Sequence, residues 1–78
     1  MLTNLRRVRQ ERNLSQRGLA RLVGLHQGYI HLLEKGLPPR EADHVDRLAE
    51  ALRVTARLLT GPPLIRLDVT EGATSDVG

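Results

Sequence analysis

Apolar residues recur along most of this chain three and four positions apart, the period of a helix with one buried face. Leu2, Leu5 and Val8 step by three and predict a first helix over residues 3–12. Thr3 is its expected N-cap, and Asn13 suits a left-handed position at its C-terminus. Leu14 returns to the core, and Ser15 caps a second helix over 16–23 in which Leu19, Leu22 and Val23 recur at helical spacing. Gly18 weakens the start of that helix, on the order of 1 kcal/mol relative to Ala. Gly24 supplies the positive φ that ends it. A third helix over 27–35 turns Ile30 and Leu33 inward and stops at Gly36. The run Leu37-Pro38-Pro39-Arg40 is a stiff extended connection. Val45, Leu48, Ala49 and Leu52 then give a full amphipathic pattern for a fourth helix over 41–52. Val54 packs inward. Thr55 caps a last short helix carrying Ala56, Leu58 and Leu59, which Gly61 and Pro62 end.

Beyond Pro62-Pro63 the period changes to two. Ile65, Leu67 and Val69 alternate with Arg66, Asp68 and Thr70, as in a half-buried strand. The chain therefore divides into a helical body, 1–61, and a tail, 62–78. The fold class expected is all-α, five helices with a C-terminal extension that has strand character. A lone strand needs a partner for its backbone, and the simplest is the same strand of a second molecule, paired antiparallel with Arg66 near Asp68. The competing reading leaves 64–78 disordered. A third puts a dimer interface on the body, around Leu58 and Leu59.

Within the body, Leu14–Gly36 organises the rest. Ala20 is small enough for the next helix to cross closely, and Gly24 makes the turn four residues later. Small residue, glycine, then two inward apolar positions is the pattern of a helix-turn-helix, which places its second helix in a DNA major groove.

Composition narrows the classes. The chain has 78 residues, enough for one small domain, and no cysteine, so neither a disulfide nor a zinc cage is expected. With one Tyr and no Phe or Trp, the core must be aliphatic. Apolar runs are too short to span a membrane, and no signal-peptide pattern is visible, so a cytoplasmic location is the expectation. The net charge of +3 is uneven: residues 1–61 hold eleven basic and six acidic side chains, whereas 62–78 hold Arg66 against Asp68, Glu71 and Asp76. A basic body suits a polyanion, or is simply a solvated basic surface.

Candidate chemistry concentrates on the third helix. At 100° per residue its outer face carries Gly28, with Lys35 close by, His31 and Leu32 at the flanks and Gln27 at the edge. Gln27 can read adenine through two hydrogen bonds, and Gly28 lets the backbone approach base edges. Leu32 fits a thymine methyl or is an isolated surface leucine. Tyr29 sits at the boundary and either hydrogen-bonds a phosphate or packs. Gln16 and Arg17 lie at the N-terminus of the second helix, where free N–H groups favour a phosphate. His26, His31 and His44 do not share a face at ligand spacing, so no metal is expected. Glu41 and Asp43 are explained by helix-end electrostatics, and no glycine-rich phosphate loop precedes a helix, so neither an enzyme nor a cofactor is expected.

Residues 4–61 resemble the Cro/phage-repressor type of helix-turn-helix, the XRE family. The matching run is Leu14-Ser15-Gln16, Leu19-Ala20, Gly24-Leu25, Tyr29-Ile30, Leu33-Glu34-Lys35-Gly36, Leu48-Ala49-Glu50-Ala51-Leu52 and Leu58-Leu59-Thr60-Gly61. The resemblance implies a five-helix domain that binds operator DNA as a two-fold dimer, with Gln16 on a phosphate and Gln27, Gly28 and Leu32 at base-reading positions. It also implies an ion pair between Arg9 on the first helix and Glu34. The departures are His26, counted here with the DNA-facing residues, where the family prefers a Ser or Thr cap; Gly28 and Leu32 in place of polar readers; Arg40 in place of a proline; and Arg53 in place of a glycine. The segment Val54–Leu59 is one residue short of the usual length.

The expectation is a sequence-specific DNA-binding transcriptional regulator, a repressor acting as a homodimer on a palindromic operator. The alternatives are an antitoxin whose tail folds onto a toxin, and a helix-turn-helix used as a protein-interaction module.

Overall fold

The computed structural model describes residues 1–64. Five helices follow in order: α1 (Leu5–Glu11), α2 (Gln16–Val23), α3 (Gln27–Glu34), α4 (Ala42–Leu52) and α5 (Ala56–Thr60). Among the described residues the fold is all-α. The strand expected over Ile65–Val69 lies outside them.

The amphipathic faces converge on one aliphatic core. Leu2, Leu5, Leu19, Ile30, Leu33, Leu48, Leu52 and Leu59 are fully buried in it, each worth about 1.5–3 kcal/mol on transfer from water. Ala20 is buried as well and lets α3 cross α2 closely. Leu22 departs from the expected pattern. It is 62% exposed, because Leu19, Ala20 and Val23 already fill the inward face of α2.

Local signals set most helix ends. The Ser15 Oγ accepts the Gly18 N–H at 2.9 Å, and the Thr55 Oγ1 accepts the Leu58 N–H at 3.1 Å. Gly24 (φ 70°) and Arg53 (φ 60°) are both left-handed. Each lets the next N–H reach back five residues in the turn, Leu25 to the Ala20 carbonyl and Val54 to the Ala49 carbonyl, both at 3.0 Å. Asn13 is left-handed too, at φ 58°.

The start of α1 differs from the expectation. The helix begins at Leu5 with Asn4, not Thr3, as its N-cap residue, and Asn4 makes no side-chain cap bond. Its side chain is used elsewhere. Asn4 is 2% exposed; its Nδ2 donates to the carbonyls of Leu58 (2.7 Å) and Pro62 (2.9 Å), and its Oδ1 accepts the Leu64 N–H at 2.8 Å. Its backbone N–H donates to the Leu59 carbonyl at 3.1 Å. One amide thus ties the start of α1 to the end of α5 and the chain beyond it.

Candidate nucleic-acid interface

The inner face of α3 is buried through Tyr29, Ile30 and Leu33, which fixes the direction of the outer face. Gln27, Gly28, His31, Leu32 and Lys35 are exposed there, as is His26 at the N-cap. Leu32 is 45% exposed. A Cβ added at Gly28 would meet nothing within 4 Å, so this position leaves the helix backbone open to a partner. The His26 side chain makes no cap bond, so no side chain covers the first N–H groups of α3 from that position.

Tyr29 behaves differently from its neighbours. It is buried, and its hydroxyl accepts the Arg40 N–H at 2.9 Å and lies 2.8 Å from the His44 Nδ1. The Arg40 guanidinium stands over its ring, 5.0 Å from the centroid. The tyrosine therefore packs, and holds the α3–α4 connection against α3.

Arg9 reaches from α1 to Glu34 at the end of α3. Its Nε donates to Oε2 at 2.6 Å and its Nη2 to Oε1 at 3.2 Å, the two-bond geometry that a planar guanidinium allows. The side chains are 11% and 4% exposed. The Arg9 Nη1 also donates to the Leu14 carbonyl at 2.7 Å. Gln16, at the first position of α2, adds a further donor, its Nε2 lying 2.9 Å from the Glu34 Oε1. One carboxylate thus joins α1, α2 and α3, and it sets both the angle of α3 and the position of the Gln16 amide. Arg17, the next residue, is exposed and forms no ion pair among the described residues.

Two more arginines serve the framework. Arg12 donates through Nε to the Leu52 carbonyl at 2.8 Å, and Arg47 through Nη1 to the Val23 carbonyl at 3.2 Å. Both bond carbonyls at helix C-termini, which have no partner within their own helix. Nothing in the sequence marks them for this role, since a C-terminal carbonyl is not a residue type. No group of three or more His, Cys, Asp or Glu among the described residues could hold a metal ion. No helix there is long and apolar enough to cross a membrane.

These features define a helix-turn-helix with one free helix face. A family model described as a helix-turn-helix domain matches residues 3–60. The chain belongs to that family and is an XRE-like helix-turn-helix DNA-binding protein. Among solved structures it is similar to a hypothetical transcription factor, NHTF, from Neisseria: 33% identity, TM-score 0.71, covering 77% of this chain and 67% of that one. A comparison with curated proteins returns no match.

Proposed function

We propose that this protein is a sequence-specific transcriptional regulator, a repressor that binds a palindromic operator as a homodimer. The observation that carries the reading is the division of α3 into a locked inner face and an exposed outer one. Tyr29, Ile30 and Leu33 bury one face of the helix and the Arg9–Glu34 pair ties its C-terminal end, so the backbone that carries Gln27, Gly28 and Leu32 is fixed against the core. Rigid presentation is what base readout requires, because a bidentate contact fails if the side chain is misplaced. In this reading Gln27 reads a base, Leu32 and His31 support it, and Gln16 and Arg17 hold phosphates. The likeness to a transcription factor from Neisseria agrees with a regulatory role. A domain that fills a major groove also blocks the site to other proteins, which is repression in its simplest form. The two-fold dimer would set its recognition helices about one DNA turn apart.

Selection of bound sites from random duplex DNA at fixed salt tests this. A reproducible palindromic site is the expected result. Gln27→Ala should then lose about 1–3 kcal/mol on that site and relax one base position. An unchanged site preference would remove Gln27 as the reader. Retention of a toxin-like partner by a chain that binds no duplex would favour the antitoxin reading instead.

A further inference from the structure

Two turns of this fold share a device. In the left-handed turns after α2 and α4, the backbone N–H groups reach the carbonyls of Ala20 and Arg21, and of Ala49 and Glu50. The last carbonyl of each helix, that of Val23 or Leu52, takes its donor from elsewhere: Arg47 on α4 bonds Val23 at 3.2 Å, and Arg12 bonds Leu52 at 2.8 Å. We propose that Arg47 is a positioning residue for base readout. By holding the Val23 carbonyl it sets where α3 starts, and so where Gln27 sits, without touching DNA. The inference rests on the base-reading role given to Gln27 above and adds to it a residue of α4.

The two ends of α3 are held unequally. The C-terminal end has the Arg9–Glu34 pair, and the buried residues begin only at Tyr29. Gln27 and Gly28 precede them, and the stretch that leads there, Gly24–His26, has few ties. Gly24 meets nothing where a Cβ would stand, and His26 makes no cap bond. Leu25 packs half-buried against the core, and its N–H bonds the Ala20 carbonyl. Among the described residues, Arg47 makes the only side-chain hydrogen bond to the backbone of residues 19–28.

The guanidinium suits this task because its own plane is fixed. Its Nε donates to the Asp43 Oδ2 at 2.8 Å, one turn earlier on α4, and this leaves Nη1 directed at Val23. The Arg47 and Asp43 side chains are 46% and 61% exposed, so their ion pair adds little stability, and its effect is on direction. The positive charge also suits the negative end of α2. Any shift at Gly24–His26 passes straight to Gln27, the next residue. Base contacts tolerate such a shift poorly, whereas non-specific binding rests on phosphate contacts that need no such register.

The test compares affinities of the full chain for its selected site and for an unrelated duplex. Arg47→Met keeps the length of the side chain and removes both bonds. Affinity for the selected site should fall by about 3–10-fold, the worth of one net hydrogen bond, with the unrelated duplex unchanged. The slope of log affinity against log salt should not move. A slope lower in magnitude by about 1 would make Arg47 a phosphate contact and overturn the proposal. Asp43→Ala should lower the same ratio by less, and should add nothing to Arg47→Met, because it acts through Arg47. Additive losses would overturn that coupling. Arg12→Met makes the equivalent change at the other turn and should lower the thermal midpoint with the affinity ratio unchanged. An equal loss of ratio there, or a fall of both affinities in Arg47→Met that tracks the unfolded fraction, would make Arg47 merely structural. A parent chain that prefers no duplex would overturn the Gln27 reading and this role together.

Discussion

The two halves of this domain solve the same two problems with different residues. Each must turn the chain tightly after a helix, and each must be tied to α1 through a buried polar group. In the helix-turn-helix half, glycine makes the turn at position 24 and a charged pair, Arg9 and Glu34, makes the tie. In the C-terminal half, an arginine makes the turn at position 53 and a neutral amide, Asn4, makes the tie. The charged tie has two defined ends and a directional fork. The neutral tie spreads over three backbone groups from Leu58 to Leu64 and holds a stretch of chain instead of an angle. That difference fits what each half presents. The angle of α3 must be set, whereas α5 and the start of the tail need only be kept against α1.

Breaking each tie tests the contrast. Glu34→Gln should have the largest effect, because it leaves Arg9 charged and nearly buried with only a neutral partner. A loss of about 3–5 kcal/mol is expected in thermal or denaturant melts, against under about 1 for an exposed pair. It should also weaken DNA binding in any fraction that stays folded. A near-zero shift would mean that α3 is held by Ile30 and Leu33 alone.

Asn4→Ala should come next, at about 1–3 kcal/mol, because two carbonyls and one N–H lose their partner but lie near enough to the surface to recruit water. Its effect should be local. Hydrogen exchange should speed up at Leu64 while the amides of α3 keep their protection. Faster exchange throughout α3 would show that the two ties act as one unit.

The turns should give the smallest effects, and of opposite sign. Gly24→Ala puts a side chain into a left-handed position and should cost about 1 kcal/mol. Arg53→Gly removes that strain but adds backbone freedom to the unfolded chain, so a gain below about 1 kcal/mol is expected. A loss in Arg53→Gly would mean that the arginine side chain does more than its exposed position suggests. Both are read from the midpoint of chemical denaturation, with an unchanged slope confirming that only stability moved.

The five helices and the turn on which they pivot were legible in the amino-acid order alone. Those features depend on neighbours a few residues apart: the apolar period, Ser15 and Thr55 as caps, and Gly24 after Val23. The outward face of α3 was legible for the same reason, since a helical wheel needs only one buried stripe to orient the rest. Tertiary structure decided the fate of the long polar side chains. The eleven basic residues of the body read as charge for a polyanion, yet Arg9, Arg12 and Arg47 each donate to a backbone carbonyl, those of Leu14, Leu52 and Val23. It also moved the N-cap of α1 from Thr3 to Asn4, whose side chain bonds partners more than fifty residues away. The physical reason is reach. A cap or an apolar stripe is satisfied within one or two turns of its own helix. A guanidinium or a buried amide takes whichever unpaired backbone group the packed helices bring to it, and that choice exists only once they have packed.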